Sequence, residues 1–256
     1  MIPRMGDSAE RRSFPEVILH AWHQRDRGRL AGAIAVGEAH LWRARVTAVT
    51  EPLRVDCLGA SEQQRARRLM VAARREAFTF AHAMARMVLG AYLQVDPVRL
   101  RFEVTSEGKP YLPGQRLQFN LSHSGDAALL AIACGREVGV DLEASDRKLD
   151  IDALARASMC EAERLSFDVL EPARRRRTIF QAWTRKEALL KAQGIGLARD
   201  PRDLRLPDAT EPSMPAHLQH VGRTWTLVDV PLDDAWQASL AVEGKVSAVR
   251  GYCLGW

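Results

Sequence analysis

Two carboxylates stand two residues apart in the sequence VGVDLE, residues 138–143. The apolar residues around them are typical of a strand, and alternate residues of a strand share a face, so Asp141 and Glu143 are predicted to lie side by side. Neighbouring carboxylates repel each other unless a cation lies between them, and oxygen ligands suit a hard divalent ion such as Mg²⁺. The pair therefore indicates a cation site, against the alternative of two ordinary acids at a strand end.

A second pair, Glu187 and Lys191, is four residues apart in WTRKEALLK, residues 183–191. This spacing places both on one face of a predicted helix, where the ordinary role is a helix-stabilising ion pair. Arginine is the common cation of this chain, which has lysine only at positions 109, 148, 186, 191 and 245. Two of these lysines fall in the same helix, and lysine approaches a phosphate as a compact charge. A phosphate site is the alternative to the ion pair.

Polar side chains also occupy two turn-rich segments. In FNLSHSG, residues 119–125, Ser122 and His123 are candidates for hydrogen bonds to a phosphate or for an ordinary hydrogen-bonded turn. Nucleophilic catalysis would need a GxSxG turn, which this segment lacks. Lys109 lies in the GKP sequence at residues 108–110, which has neither the first glycine nor the Ser/Thr of a P-loop. A P-loop is excluded, but a loop lysine can still reach an anion.

The hydrophobic pattern predicts the elements that position these residues. Residues 61–93 read as a helix with arginines on one face, and residues 150–192 are again helical, with Gly194 and Gly196 at the end. Strands are predicted at 117–121, 127–134 and 137–143, and also within 30–49 and in the tail. The order strands, helix, strands thus occurs twice along the chain, at residues 15–118 and at residues 119–256. A frayed segment at residues 1–14 precedes them. The pattern predicts an α+β fold with two such halves.

Composition excludes several classes of protein. The 256 residues are 46% hydrophobic and 27% charged, as in ordinary globular proteins. No apolar run reaches the roughly 18 residues that span a bilayer. The four cysteines lack the spacing of a metal site, so we expect free buried thiols and a cytoplasmic protein. The net charge of +5 favours anionic partners, but no nucleic-acid-binding motif accompanies it. We therefore expect neither a membrane nor a nucleic acid as partner.

Four of these segments occur in an order that resembles a known family. GKPYL, FNLSHSG, VGVDLE and WTRKEALLKAQGIGL resemble the motifs of the Sfp-type 4′-phosphopantetheinyl transferases, and SEQQRARRL and AHAMARMVLGAYL look like their N-terminal region. The resemblance covers about residues 58–200. It implies a monomer with two similar α+β halves and the active site between them, in a pseudo-dimeric fold.

The resemblance implies an activity of the holo-[acyl-carrier-protein] synthase type. Such an enzyme transfers 4′-phosphopantetheine from coenzyme A to a serine of an apo acyl or peptidyl carrier protein and releases adenosine 3′,5′-bisphosphate. Asp141, Glu143 and Glu187 would gather around one Mg²⁺ that also binds the diphosphate. Glu187 would be the general base, with Asp141 and Lys191 as further catalytic residues, and Lys191 would neutralise charge on the diphosphate.

By the same resemblance, the remaining candidates would bind coenzyme A. Ser122, His123 and Lys186 would contact its phosphates, and Lys109 would approach the nucleotide end. The 3′-phosphate would bind basic residues of the N-terminal region, for which the candidates are Arg67, Arg68, Arg74 and Arg75.

The carrier is expected to be acidic, so an arginine-rich surface would attract it. Either the run at 174–177 or the helix face from Arg65 to Arg75 is the candidate docking surface. Fatty-acid, polyketide, nonribosomal peptide and siderophore systems all remain open as the source of the carrier. Two other functions remain as alternatives: a Mg²⁺-dependent diphosphate or nucleotide hydrolase, and a non-catalytic carrier-binding protein.

Overall fold

The computed structural model describes residues 17–22, 34–46, 55–195, 199–206 and 216–254. Five α-helices in these ranges are α1 (Ala60–Arg68), α2 (Ala72–Leu93), α3 (Ile151–Ser158), α4 (Glu161–Asp168) and α5 (Pro172–Gln193). The strands are β1 (Val17–Trp22), β2 (Glu38–Arg45), β3 (Glu103–Val104), β4 (Pro110–Tyr111), β5 (Leu117–Ser124), β6 (Ala127–Cys134), β7 (Val138–Ala144), β8 (Ala216–His220), β9 (Arg223–Asp229), β10 (Trp236–Glu243) and β11 (Ala248–Leu254). None of these helices is long and apolar enough to cross a membrane.

Two larger sheets carry the two long helices. The first sheet has the order β1-β11-β2-β6-β5, and the apolar face of α2 packs against it through residues such as Met84 and Val88. The second has the order β7-β10-β9-β8, and α5 packs against it through residues such as Leu189 and Ala188. Because each sheet is covered by a helix of 22 residues, the predicted α+β fold is confirmed.

The change from one sheet to the other comes after β6, between residues 134 and 138. The predicted boundary at 118/119 falls inside β5, which pairs with β6 in the first sheet. The C-terminal strand β11 also belongs to the first sheet, where it lies parallel to both β1 and β2. The first and last strands of the described residues, β1 and β11, therefore lie in the same sheet.

The helical prediction for residues 61–93 is corrected by the structure, which has two helices there. Residues 69–71 interrupt it, with Leu69 and Val71 in extended conformations. The N-cap of the first helix is Gly59 rather than Ser61, and the Glu62 side chain accepts a hydrogen bond from the Gly59 backbone at 2.8 Å. Neither proline nor glycine marks the interruption, so the sequence gives no local signal for it.

α5 lies unusually close to β7 because of a glycine. A β-carbon on Gly139 would collide with backbone atoms of Ala188 and Ala192. At its C-terminus, α5 ends as predicted at Gly194, which has a φ of 76°. The second predicted glycine, Gly196, lies outside the described residues. The close approach of α5 and β7 is what brings the Asp141/Glu143 pair and the Glu187/Lys191 pair together.

Cys134, Cys160 and Cys253 are free, as predicted, but these three cysteines and Cys57 are each half-buried rather than fully buried.

Candidate active site

The predicted carboxylates lie on the face of β7 that α5 covers. Lys191 Nζ of α5 is 2.5 Å from Asp141 Oδ1, and Trp183 Nε1 of α5 is 3.4 Å from Glu143 Oε1. Both carboxylates are buried. Because α5 reaches both side chains, the prediction that they share one strand face is confirmed.

Ser122 joins Asp141 and Lys191 from the first sheet. Its hydroxyl oxygen is 3.0 Å from Asp141 Oδ1 and accepts a hydrogen bond from Lys191 Nζ at 3.2 Å. The site thus contains residues of β5, β7 and α5 and lies at the junction of the two sheets.

Glu143 has donors at both of its carboxylate oxygens. Arg147 Nη1 donates to Oε1 at 2.6 Å, and the Ser124 hydroxyl donates to Oε2 at 3.1 Å. With Trp183 as an additional donor, this carboxylate is held from β5, from α5 and from the loop after β7.

Glu187 is the most perturbed acid of the site. Burial and the negative charges of Asp141 and Glu143 raise the pKa of Glu187 to about 7, against the opposing effect of Lys191. A carboxyl group with this pKa can exchange a proton near neutral pH. The effect of Asp141 and Glu143 on the pKa of Glu187 also shows that these two acids lie close enough to Glu187 to interact with it.

Two carboxylate oxygens of this cluster fit a cation. Asp141 Oδ2 and Glu187 Oε1 are both buried and have no hydrogen-bond partner. Buried acceptors without donors are costly, and a hard cation with oxygen ligands would satisfy both. As the side chains stand in the described ranges, no group of three or more His, Cys, Asp or Glu residues has the arrangement of a metal site.

Beside this acidic cluster lies a group of basic side chains. His123 is exposed at the end of β5, and partial desolvation together with the positive charges of His82, Lys191 and Arg65 lowers its pKa. The guanidinium group of Arg65 lies over the ring of Phe78, which also contacts the ring of His82. Such a group of cations suits a phosphate-containing ligand.

His82 is not among the residues predicted from the sequence, and Arg65 is predicted only as part of a basic helix face. A signal was available, because Phe78 and His82 are four residues apart on α2 and share a face. What the sequence could not show is that Arg65 of α1 comes near enough to His123, at the end of β5, for its charge to act on that ring.

Two predicted ligand-binding lysines are placed elsewhere by the structure. Lys186 is fully buried, and its ammonium group donates to Glu163 Oε2 at 2.5 Å and to the carbonyls of Ser158 and Pro201. Lysine has three N–H donors, and all three are used. The structure corrects the prediction of a phosphate contact, since Lys186 ties α5 to α3 and α4.

Lys109 is corrected in the same way. Its side chain is 8% exposed, and Nζ donates to Glu137 Oε2 at 2.7 Å and to the carbonyls of Ala192 and Val138. Its donors fasten the GKP loop to β7 and to the end of α5, so they are not available to a nucleotide.

The predicted 3′-phosphate ligands Arg67, Arg68, Arg74 and Arg75 are exposed on α1 and at the start of α2. They are not among the principal charges acting on His123. The structure brings Arg65, rather than these four arginines, to the basic group of the site.

A further polar network holds α5 in place. Arg185 donates to both oxygens of Asp229 on β9, at 2.9 and 2.6 Å, and Gln181 donates to the same carboxylate. This bidentate pair fixes the rotation of α5 about its axis and so the direction of Glu187 and Lys191. The basic residues of WTRKEALLK therefore divide into two that build the fold and one, Lys191, that faces the acidic cluster.

Comparison with known proteins identifies the family of this chain. Two family models match the chain: "4′-phosphopantetheinyl transferase, N-terminal" over residues 42–135 and "4′-phosphopantetheinyl transferase superfamily" over residues 137–241. The 4′-phosphopantetheinyl transferase HetI of Nostoc sp. is 35% identical over 214 residues, which cover 81% of this chain and 88% of HetI. The chain belongs to the Sfp-type 4′-phosphopantetheinyl transferase family.

More distant relatives of the transferase span several lineages. The L-aminoadipate-semialdehyde dehydrogenase-phosphopantetheinyl transferase of Xenopus laevis is 27% identical, over 76% of this chain and 70% of its own. A solved structure, the holo-[acyl-carrier-protein] synthase (AcpS) of Thermotoga maritima, aligns with a TM-score of 0.30 and 20% identity over 43% of this chain and 63% of its own. That last overlap is too weak to bear on function. The two family models adjoin at residue 136, where the transferase passes from its first sheet to its second.

Membership makes this chain a phosphopantetheinyl transferase, an enzyme that uses coenzyme A as its substrate and acts on carrier proteins. The resemblance of the four sequence motifs to this family is therefore confirmed.

Proposed function

We propose that this transferase moves 4′-phosphopantetheine from coenzyme A to the hydroxyl of a carrier serine in a Mg²⁺-dependent reaction that releases adenosine 3′,5′-bisphosphate. The observation that carries this proposal is the cluster of Asp141, Glu187 and Lys191, whose two buried carboxyl groups each have an unpartnered oxygen at the junction of the two sheets. An acidic cluster beside basic side chains is what a diphosphate with a divalent cation requires.

In this proposal Glu187 is the general base. Its pKa near 7 leaves a substantial fraction ionised at neutral pH, and its unpartnered Oε1 is free to accept a proton. The carrier serine oxygen forms a bond to the β-phosphorus of coenzyme A, the bond from that phosphorus to the bridging oxygen breaks, and the serine proton passes to Glu187 directly or through a water.

Lys191 and the basic group bind the anionic substrate. Lys191 offsets negative charge on the diphosphate as the bridging bond breaks, while Ser122, His123 and Arg65 orient the phosphates. Asp141, Glu143 and Glu187 would hold Mg²⁺, which when bound supplies further neutralisation of the diphosphate.

The direct test is transfer to a carrier. The protein is incubated with Mg²⁺, coenzyme A and a panel of apo carrier proteins, and intact mass spectrometry reports the phosphopantetheine increment. We expect an increment that Asp141→Ala and Lys191→Ala abolish. If coenzyme A is instead split to free phosphopantetheine without any carrier, the diphosphate hydrolase is the correct function. Binding of coenzyme A and carrier without either product would identify a non-catalytic carrier-binding protein.

For the carrier we propose an acidic partner that docks on the helix face around the α1–α2 junction. Two arginine-rich surfaces were candidates, and the contacts of the structure distinguish them. In the run at 174–177, Arg175 pairs with Asp152 at 2.8 Å, and Arg176 donates to the carbonyls of Ser145 and Arg147. Half of that run is therefore engaged within the fold.

The α1–α2 junction is more open. Met70 is 90% exposed and Val71 52% exposed, and exposed arginines flank them at positions 67, 68, 74 and 75. Large exposed apolar side chains surrounded by charge are typical of an interaction surface. An acidic helical carrier with an apolar patch would match both features of this surface.

Charge reversal tests this surface. We expect Arg67→Glu with Arg74→Glu to raise the KM for the carrier at least about 10-fold, with a weakened salt dependence. Arg174→Glu with Arg177→Glu changes charge equally and serves as the matched control. A raised KM for coenzyme A and an unchanged KM for the carrier would instead assign these arginines to the 3′-phosphate, as the sequence predicted.

A further inference from the structure

The two sheets meet at β5 and β7 without any backbone pairing between these strands. Side chains of β5 make the connection instead, by accepting hydrogen bonds from alternate backbone N–H groups of β7. The acceptors and donors are Asn120 Oδ1 and Val140 N at 2.9 Å, Ser122 Oγ and Leu142 N at 3.2 Å, and Ser124 Oγ and Ala144 N at 3.0 Å. We call these three residues the β5 ladder. The constant offset of 20 residues means that the two strands run parallel and in register.

The ladder also fixes the direction of two hydroxyl hydrogens. A serine has one O–H hydrogen and two lone pairs. Because Ser124 Oγ uses a lone pair for the Ala144 N–H, its hydrogen is free to point to Glu143 Oε2, 3.1 Å away. Ser122 is arranged in the same way toward Asp141. Asn120, the third member, contacts no carboxylate of the site in the described part of the chain.

We propose that Ser124 is a positioning residue, which holds the Glu143 carboxylate in the orientation that the cation site needs. This inference rests on the proposed function, in which Glu143 belongs to that site. Glu143 is otherwise held by Trp183 and by Arg147, whose side chain is 48% exposed. Without Ser124, the carboxylate can rotate toward Arg147 and away from Asp141.

Outer partners of this kind commonly control affinity for a metal. Hydrogen bonds that orient a ligating carboxylate are worth about 10-fold to 100-fold in metal affinity. Ser124 supplies such a bond from a strand of the other sheet. The relative position of the two sheets is thereby linked to the geometry of the acidic cluster.

The experiment measures cation binding directly, without turnover. Mn²⁺ is titrated into the full-length protein, with coenzyme A but no carrier, and free Mn²⁺ is followed by its electron paramagnetic resonance signal. We expect Ser124→Ala to weaken binding about 10-fold, and Ser124→Thr, which keeps the hydroxyl, to restore it.

Asn120→Ala is the matched control, because it also removes one acceptor of a β7 N–H but touches no site carboxylate. We expect both alanine variants to lower the Tm, and only Ser124→Ala to weaken Mn²⁺ binding. Equal weakening in the two variants, or none in Ser124→Ala, would overturn the positioning role.

Glu143→Ala separates this inference from the proposed function. If Glu143→Ala weakens Mn²⁺ binding and Ser124→Ala does not, the inference alone fails. If Glu143→Ala binds Mn²⁺ as the unmodified protein does, Glu143 is not part of the cation site, and both the inference and that part of the proposed function are wrong.

Discussion

The carboxyl group of Glu187 is surrounded by other acids, and this has a consequence for stability. In the unfolded chain it titrates at its ordinary pKa of 4.5, whereas in the folded protein burial, Asp141 and Glu143 raise the pKa to about 7. Between these values the folded state keeps a proton that the unfolded state has lost. The stabilising contribution is therefore complete below pH 4.5 and is lost as the pH rises through 7.

Glu187→Gln removes this titration, so we expect the stability of the variant to depend on pH differently from the stability of the unmodified protein. Relative to the unmodified protein, the variant gains about 3 kcal/mol in free energy of unfolding between pH 4 and pH 8. Urea unfolding in the presence of a chelator measures this difference. Glu161→Gln, at an exposed position of α4, is the control and should show no such gain. A stability difference that is the same at both pH values would contradict the prediction.

The neighbouring residue Lys186 should behave quite differently when replaced. Lys186→Met leaves Glu163 buried without its partner, and loss of one member of a buried pair costs about 3–5 kcal/mol. We expect a large fall in the Tm, with an unchanged KM for coenzyme A in the protein that remains folded. The head group of Lys191 is partly exposed, so Lys191→Met should lower kcat with a smaller effect on the Tm. If Lys186→Met has a normal Tm and a raised KM for coenzyme A, the predicted contact of Lys186 with a phosphate is correct after all.

The lysines of the chain also show how much of the site the sequence could predict. Residue types and spacing correctly predicted that Asp141 and Glu143 share a strand face and that Glu187 and Lys191 share a helix face, because period-two and period-four relations are local. Only the resemblance implied that the two pairs lie together. Scarcity of lysine drew attention to Lys109 and Lys186, but scarcity does not reveal partners. Some of the acceptors that bind these lysines are distant in sequence. Glu137, for example, lies 28 residues after Lys109, and only the fold brings the two together.

At the scale of elements, Gly139 sets the distance between α5 and β7. A methyl group there would collide with the backbone of α5 rather than with a side chain that could move. We expect Gly139→Ala to push the helix away, to destabilise the protein by more than about 3 kcal/mol and to abolish transfer. Thermal unfolding and the mass assay measure both effects. Ala241→Gly, at the position of β10 that pairs with Gly139, leaves α5 room and is the control. A Gly139→Ala variant that is both stable and active would contradict this prediction.

The strands were predicted more closely than the helices. The sequence predicted strands at 127–134 and 137–143, and the structure has β6 at Ala127–Cys134 and β7 at Val138–Ala144. Their runs of apolar and β-branched residues are bounded by turns, which makes them locally recognisable. The break between α1 and α2 carries no such signal, because Met70 and Val71 are exposed residues with no helix-breaking chemistry.

At the scale of the whole molecule, the two sheets are joined by more than the β5 ladder. The last described strand, β11, lies between β1 and β2 in the first sheet, although the chain reaches it only after completing the second sheet. No local pattern could predict this placement, because strand pairing over 200 residues depends on the complete fold. The first sheet is therefore complete only when the second half of the chain is present.

This topology predicts that the transferase unfolds as one cooperative unit. Separation of the halves would take β11 out of the first sheet and leave the N–H groups of β7 without the β5 ladder, so neither half has a stable structure by itself. We expect urea transitions followed by tryptophan fluorescence and by far-ultraviolet circular dichroism to coincide. We further expect residues 1–136 and 137–256 to be unfolded when produced separately and to assemble when mixed. Two separate transitions, or a folded fragment of residues 1–136, would show that the first sheet is stable without β11.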